Sequence, residues 1–162
     1  MLDIYKASAG SGKTYILVKE YIKKSLSSNT RISHKSLLAI TFTNKAASEM
    51  KTRIISTLFV FSNGKNNIQD ASSKQLYNDL KIELNYSDIQ LVHRSKQVLL
   101  DIIHYYSLFS VSTIDKFIHK IIRAFSYELE LPSNFSVEMD QDKIIKDGVT
   151  ALIDEVGFDS VL

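Results

Sequence analysis

The stretch KASAGSGKTYILVK, residues 6–19, decides how the rest of the chain is read. Gly10, Gly12, Lys13 and Thr14 match the end of the pattern G-x-x-x-x-G-K-[ST], with Ala7 at the position of its first glycine. Backbone N–H groups at the start of a helix point at an anion there, and the helix dipole favours its charge. Gly10 and Gly12 let the backbone turn and approach closely where a side chain would block it. Such a loop cradles phosphate through Ala7, Ser8, Ala9, Gly10, Ser11, Gly12, Lys13 and Thr14. Lys13 would reach the β- and γ-phosphates, and the Thr14 hydroxyl would ligate Mg²⁺. The competing reading is a flexible Gly/Ser turn, which the flanking pattern disfavours.

That pattern is strand, loop, helix. Leu2–Ala7 reads as a short strand. Leu17, Val18, Tyr21, Ile22 and Leu26 recur at helical spacing and predict a helix over 13–25. SLLAITFT (36–43) is a near-continuous apolar run, expected for a parallel strand covered on both faces. Ala47, Met50, Ile54 and Leu58 then predict a second helix. The order is that of an α/β fold.

Residues 62–106 read as a helical insertion. SNGKNNIQDASS (62–73) is a polar loop, and Ser72/Gln75 and Ser87/Gln90 have capping-box spacing. Ile89, Val92, Leu99, Ile102, Ile103 and Tyr106 predict one apolar helical face. LFSVST (108–113) is expected as a third strand. The segment after it is amphipathic, with Phe117, Ile121, Ile122 and Phe125 on one side and Lys116, Lys120 and Arg123 on another. Pro132 is expected to end this unit. A last helix, carrying Ile144, Ile145, Val149, Leu152, Ile153 and Val156, is expected to run up to Gly157.

Charge is unevenly distributed around a net value of +2. Residues 1–57 hold ten Lys/Arg against three acids, and residues 126–162 hold two Lys against nine acids. A basic front suggests a polyanion partner, and two differently charged solvated surfaces are the alternative. The chain has no cysteine, which excludes disulfides and thiolate metal sites. Its four histidines lack H-x3-H or HExxH spacing. No run approaches the roughly 18 apolar residues of a membrane span, so no membrane partner is expected and the default location is the cytoplasm.

Three blocks carry a family resemblance. The loop with alanine at its first position, LLAITFTNKAASEMKTRI (37–54), and SVSTIDKFIHKIIRAFSYELELPSNFSVEMD (110–140) together resemble UvrD/Rep-like superfamily 1 DNA helicases. SAGSGKT and Thr113-Ile114-Asp115 look most like the exonuclease-associated AddA/RecB-type branch. The resemblance implies an α/β P-loop NTPase (RecA-like) three-layer sandwich, here partial and with a helical insertion. ATP and Mg²⁺ would be the cofactors and single-stranded DNA the partner. Phe42, Thr43 and Asn44 would line the DNA track, and Thr113 and Phe117 would extend it. An aromatic offers a sequence-tolerant stacking surface, and hydroxyls and N–H groups at helix starts hold phosphate. Phe42 could instead be a core residue, Thr43 and Asn44 a helix cap, and the lysines a wet helix face. Asp115 would repel phosphate.

On the same resemblance, residues 1–131 would be part of the first RecA-like domain, with 62–106 inserted, and 132–162 the start of a helical subdomain. A second RecA-like domain is expected as a missing partner, and a nuclease subunit is a further one. ALIDEVGFDS (151–160) imitates the apolar-Asp-Glu block that positions Mg²⁺ and water. Its helical period argues for a helix instead, so Asp154 and Glu155 are not assigned to catalysis. Val98-Leu99-Leu100-Asp101 is a weaker imitation. Alone, this chain is expected to turn over little ATP. The alternatives are a small P-loop nucleotide kinase, which needs an arginine-rich lid and an acceptor site although residues 62–106 hold one arginine, Arg94, and a non-catalytic nucleotide-binding remnant.

Overall fold

The computed structural model describes residues 12–27, 33–131, 135 and 141–159. Two compact units divide the chain, residues 1–117 and 118–162. The division lies inside a helix. The strand expected at Leu2–Ala7 and the loop residues Ala7, Ser8, Ala9, Gly10 and Ser11 lie outside the described residues, as does Pro132.

In the first unit, α1 (Lys13–Ser27) precedes β1 (Leu38–Thr41), α2 (Asn44–Ser62), α3 (Ala71–Glu83), α4 (Asp88–His104) and β2 (Ser110–Thr113). The two strands pair in parallel, Leu38 with Ser110 through Thr41 with Thr113. Parallel neighbours need a long crossover, and α2, α3 and α4 supply it. α2 lies at the centre because its apolar face repeats over its whole length. Ala47, Met50, Ile54, Leu58 and Phe61 are all buried, and the helix packs on α1, α4 and β2. Phe61 meets Tyr77 of α3 edge-on, with centroids 5.1 Å apart. Val18, Tyr21, Ile22 and Leu26 bury the matching face of α1.

The segment 62–106 is helical, and its α4 packs against α2 and α1 rather than standing apart. Its cap at Ser87 is a full capping box, with Ser87 Oγ accepting from Gln90 N–H and Gln90 Oε1 accepting from Ser87 N–H. The cap expected at Ser72 is not formed. α3 starts at Ala71, and Asp70 caps it by accepting from Ser73 N–H at 2.7 Å. A carboxylate two residues earlier offers the orphan N–H groups a charged acceptor, so the helix begins there.

Three apolar expectations need correction. The buried face of α4 is Leu91, Ser95, Val98, Leu99 and Ile102, while Ile89, Ile103 and Tyr106 are exposed. Ser95 is small enough to lie against a neighbouring element, and its polarity hid the true stripe. β1 is not covered on both faces, because Leu38 and Ile40 remain exposed while Ala39 and Thr41 are half-buried. Leu17 is also exposed and lines a groove of about 230 Å³ with Leu38 and Ile40.

α5 (Ile114–Ala124) continues directly from β2. None of its residues is buried: Phe117 and Ile122 are partly covered and Ile121 is exposed, as is Phe125 just past its end. In the second unit, α6 (Gln141–Asp159) contains Asp154 and Glu155 and runs past Gly157, the expected stop. Ile144, Ile145, Val149, Leu152 and Ile153 on it are exposed. Among the described residues, no helix is long and apolar enough to cross a membrane.

Candidate functional site

The first candidate group surrounds the start of α1. Gly12 has φ +81°, a left-handed conformation that an L side chain adopts only with strain. Its carbonyl accepts from Ile16 N–H at 3.0 Å, so the turn at Gly12 leads straight into the helical ladder. Lys13 opens the helix and is exposed, and Thr14 follows half-buried in the first turn. That turn carries no acidic side chain, so nothing on it competes with an incoming anion. Open space around the Gly12 Cα, a positively charged side chain and a hydroxyl fit a nucleotide phosphate with its Mg²⁺. Among the described residues no group of three or more acids or histidines could hold a metal by itself.

The far end of α1 is fixed to the helical segment. Tyr86 donates its hydroxyl to the Leu26 carbonyl at 3.0 Å, and Arg94 donates to the same oxygen through Nε and Nη2 at 3.4 Å. Leu26 lies thirteen helical positions after Lys13, about 20 Å. Arg94 binds the far end of α1, where it is not placed to act as a phosphate lid.

Part of the basic front is also structural. Lys19 Nζ lies 2.7 Å and Lys23 Nζ 2.6 Å from the Glu83 carboxylate, and Lys19 reaches Asp79 at 3.4 Å. These hydrogen bonds hold the Glu83 carboxyl below its usual range. Arg53 pairs with Glu49 at 2.6 Å on one face of α2.

The second candidate group is at the carboxyl ends of β1 and β2. Thr41 and Thr113 close the ladder side by side, and adjacent strands stand about 4.8 Å apart. Two helices start there. Thr113 is buried, and its Oγ1 accepts from Lys116 N–H at 3.3 Å, beginning α5 from the last strand residue. On the other strand two residues intervene before α2. Thr43 is the N-cap, its Oγ1 accepting from Ala46 N–H at 3.1 Å.

Phe42, between strand and cap, is 85% exposed. The core reading of Phe42 fails. The cap reading of Thr43 holds, and Asn44 is the exposed first residue of α2. Phe117 is half-buried one turn into α5. The strand pairing thus brings Phe42, Thr43 and Asn44 to the same edge as Thr113. Carboxyl ends of parallel strands are where α/β folds place ligands. Asp115 in the first turn of α5 suits the helix dipole, whereas Lys45 in the first turn of α2 opposes it.

Sequence reasoning passed over Lys45 and Thr41. Lys45 carried a readable signal, a cation at a helix start. Thr41 carried none, because its role depends on the hydrogen bond its Oγ1 donates to the Thr43 carbonyl at 3.1 Å.

The family model of the UvrD/REP helicase N-terminal domain matches residues 4–160. The chain is similar to proteins named as the A subunit of an ATP-dependent helicase/nuclease. That of Lactobacillus gasseri is 40% identical over 138 residues, 85% of this chain and 9% of the relative. That of Lactobacillus johnsonii is 37% identical over the same shares. That of Bacillus cytotoxicus is 31% identical over 144 residues, 88% of this chain and 9% of the relative. The chain therefore spans about a tenth of the length of these relatives. No solved structure matches it.

Proposed function

This chain belongs to the UvrD/REP helicase N-terminal domain family, which implies a P-loop NTPase fold, and from that premise we propose that it is the ATP- and single-stranded-DNA-binding front of an ATP-dependent helicase/nuclease serving DNA repair. The finer architecture is a partial RecA-like three-layer sandwich over residues 1–131, with 132–162 opening a helical subdomain. The exposure of Phe42 just past the end of β1, beside a second strand end that also starts a helix, carries this reading.

Each residue then has a task. Gly12 lets the backbone turn toward phosphate, Lys13 would neutralise the β- and γ-phosphates, and the Thr14 hydroxyl would hold Mg²⁺, which would supply charge stabilisation to the phosphates when bound. Ala7, Ser8, Ala9, Gly10 and Ser11 complete the phosphate-loop motif in sequence. Phe42 stacks on a base, while Thr43, Asn44 and Thr113 hold the strand's backbone at the two helix starts. Phe117 extends the track, and Lys45 and Lys116 add charge toward phosphate. Asp154 and Glu155 take no part, since α6 is a helix and the water-positioning carboxylates belong on a strand end. A second RecA-like domain supplies the transition-state arginines, and a nuclease partner is consistent with the names of the relatives.

Steady-state ATP hydrolysis, with and without single-stranded DNA, tests this together with direct nucleotide binding. The expected result is nucleotide binding that needs Lys13, DNA binding that needs Phe42, and negligible turnover. Absence of nucleotide binding in a folded chain would favour the non-catalytic remnant.

A further inference from the structure

The two helices that begin at the strand ends are entered differently. α5 starts at Ile114, directly after the last strand residue Thr113, whereas α2 starts only after Phe42 and Thr43. That two-residue step turns Phe42 outward to 85% exposure. An exposed phenyl ring on a short connection has no packing to hold it, so something else must fix its direction.

The connection is held at both ends by threonine hydroxyls. Thr43 Oγ1 accepts from Ala46 N–H, which fixes the helix side. Thr41 Oγ1 donates to the Thr43 carbonyl at 3.1 Å, spanning Phe42 from the strand side. The same carbonyl accepts from Ala47 N–H at 3.0 Å, so both of its lone pairs are engaged. Thr41 is itself anchored in the ladder opposite Thr113. The ladder, the Thr41 hydroxyl and the first turn of α2 therefore form one closed path around Phe42.

We infer that Thr41 is a positioning residue for single-stranded nucleic-acid binding, holding the β1–α2 step so that Phe42 is presented to a base before the strand arrives. The inference rests on the proposed role of Phe42. It goes beyond that role in assigning affinity to a hydroxyl that faces the protein's own backbone. Pre-ordering the step lowers the ordering cost of binding. On this inference Thr41 acts through its neighbour, by the hydrogen bond it donates to the Thr43 carbonyl.

The test uses the 162-residue chain and a labelled oligothymidylate, with a fluorescent base analogue placed in a second oligonucleotide. Phe42→Ala should weaken binding roughly tenfold, the scale of one lost base–aromatic stack, and abolish quenching of the analogue. Thr41→Val, which keeps the β-branched shape, should weaken binding about threefold and reduce quenching, while Thr41→Ser restores both. Lys13-dependent nucleotide binding should be unchanged in all three. In the Phe42→Ala background, Thr41→Val should cost nothing more.

Parent-like affinity in Thr41→Val overturns the inference, as does a loss of the same size with Phe42 already removed. If Phe42→Ala binds as the parent does, the underlying reading of Phe42 fails first. Thr41→Ala takes the place of the valine variant should the latter melt early, with the same two comparisons deciding.

Discussion

Thr41 and Thr113 are the last register pair of the β1–β2 ladder, and each leads into a helix start that a threonine hydroxyl caps. A cap and a phosphate contact draw on the same property, an oxygen and N–H groups clustered where a helix begins. The two roles can be separated by charge. Thr43→Asp keeps an N-cap acceptor but places a carboxylate where a DNA phosphate is proposed to lie. Thermal stability should stay within about 0.5 kcal/mol of the parent, while single-stranded DNA affinity falls by about tenfold or more at low salt. Equal DNA affinity in a titration would remove Thr43 from the track.

Lys13→Ala and Asp154→Asn/Glu155→Gln should behave oppositely. Lys13 is exposed at the start of α1, so its removal should abolish measurable binding of a fluorescent ATP analogue without moving the urea midpoint. The α6 double variant should leave nucleotide binding unaltered, because Asp154 and Glu155 are exposed on a helix. Loss of binding in the α6 variant would require a different metal site.

The far end of α1 supports a stability prediction. Tyr86→Phe removes the hydroxyl that donates to the Leu26 carbonyl, a part-buried bond contributing about 1 kcal/mol. Arg94→Ala should cost a similar amount, with lost packing adding to the lost bond. Urea unfolding measures both. Neither change should alter Lys13-dependent nucleotide binding, since the two ends of α1 are about 20 Å apart.

His34 makes stability depend on pH. It is fully buried in the 3₁₀ turn Ser33–Ser36 that packs on α1 and α4. Burial lowers the pKa of its ring below the ordinary value, and the Tyr105 backbone and the Asp101 carboxylate oppose that only in part. The unfolded chain binds this proton more readily, so the contribution of neutral His34 is fully present above about pH 6.5. It is lost as pH falls from there toward the lower folded value. The melting temperature should drop between about pH 7.5 and pH 5.5 in the parent, and the drop should be smaller in His34→Leu. Identical pH profiles would show that another group governs this range.

Several features could be read from residue order because they depend on local physics. The glycine–lysine–threonine run, the 3.6-residue repeat of α2 and the Ser87/Gln90 capping box involve residues within a turn or two of each other. The helical nature of residues 151–159 was legible for the same reason. A period of 3.6 in the apolar residues cannot describe a strand.

Other features were decided only in three dimensions. Nothing local distinguishes Phe42 from a core phenylalanine at the end of an apolar run. The parallel pairing with β2, about seventy residues later in the chain, fixed its position at an edge. The true face of α4 was hidden because its centre is Ser95, a residue that is buried for its size rather than its hydrophobicity. Asp70 displaced the expected cap at Ser72 because a carboxylate competes for the same N–H groups. Arg94 acquired its role from the end of a helix sixty-eight residues away. The sequence by itself determined the loop chemistry and the helical periods, which are short-range. Tertiary pairing decided which of those residues share an edge, because burial and register are set by partners that no local pattern contains.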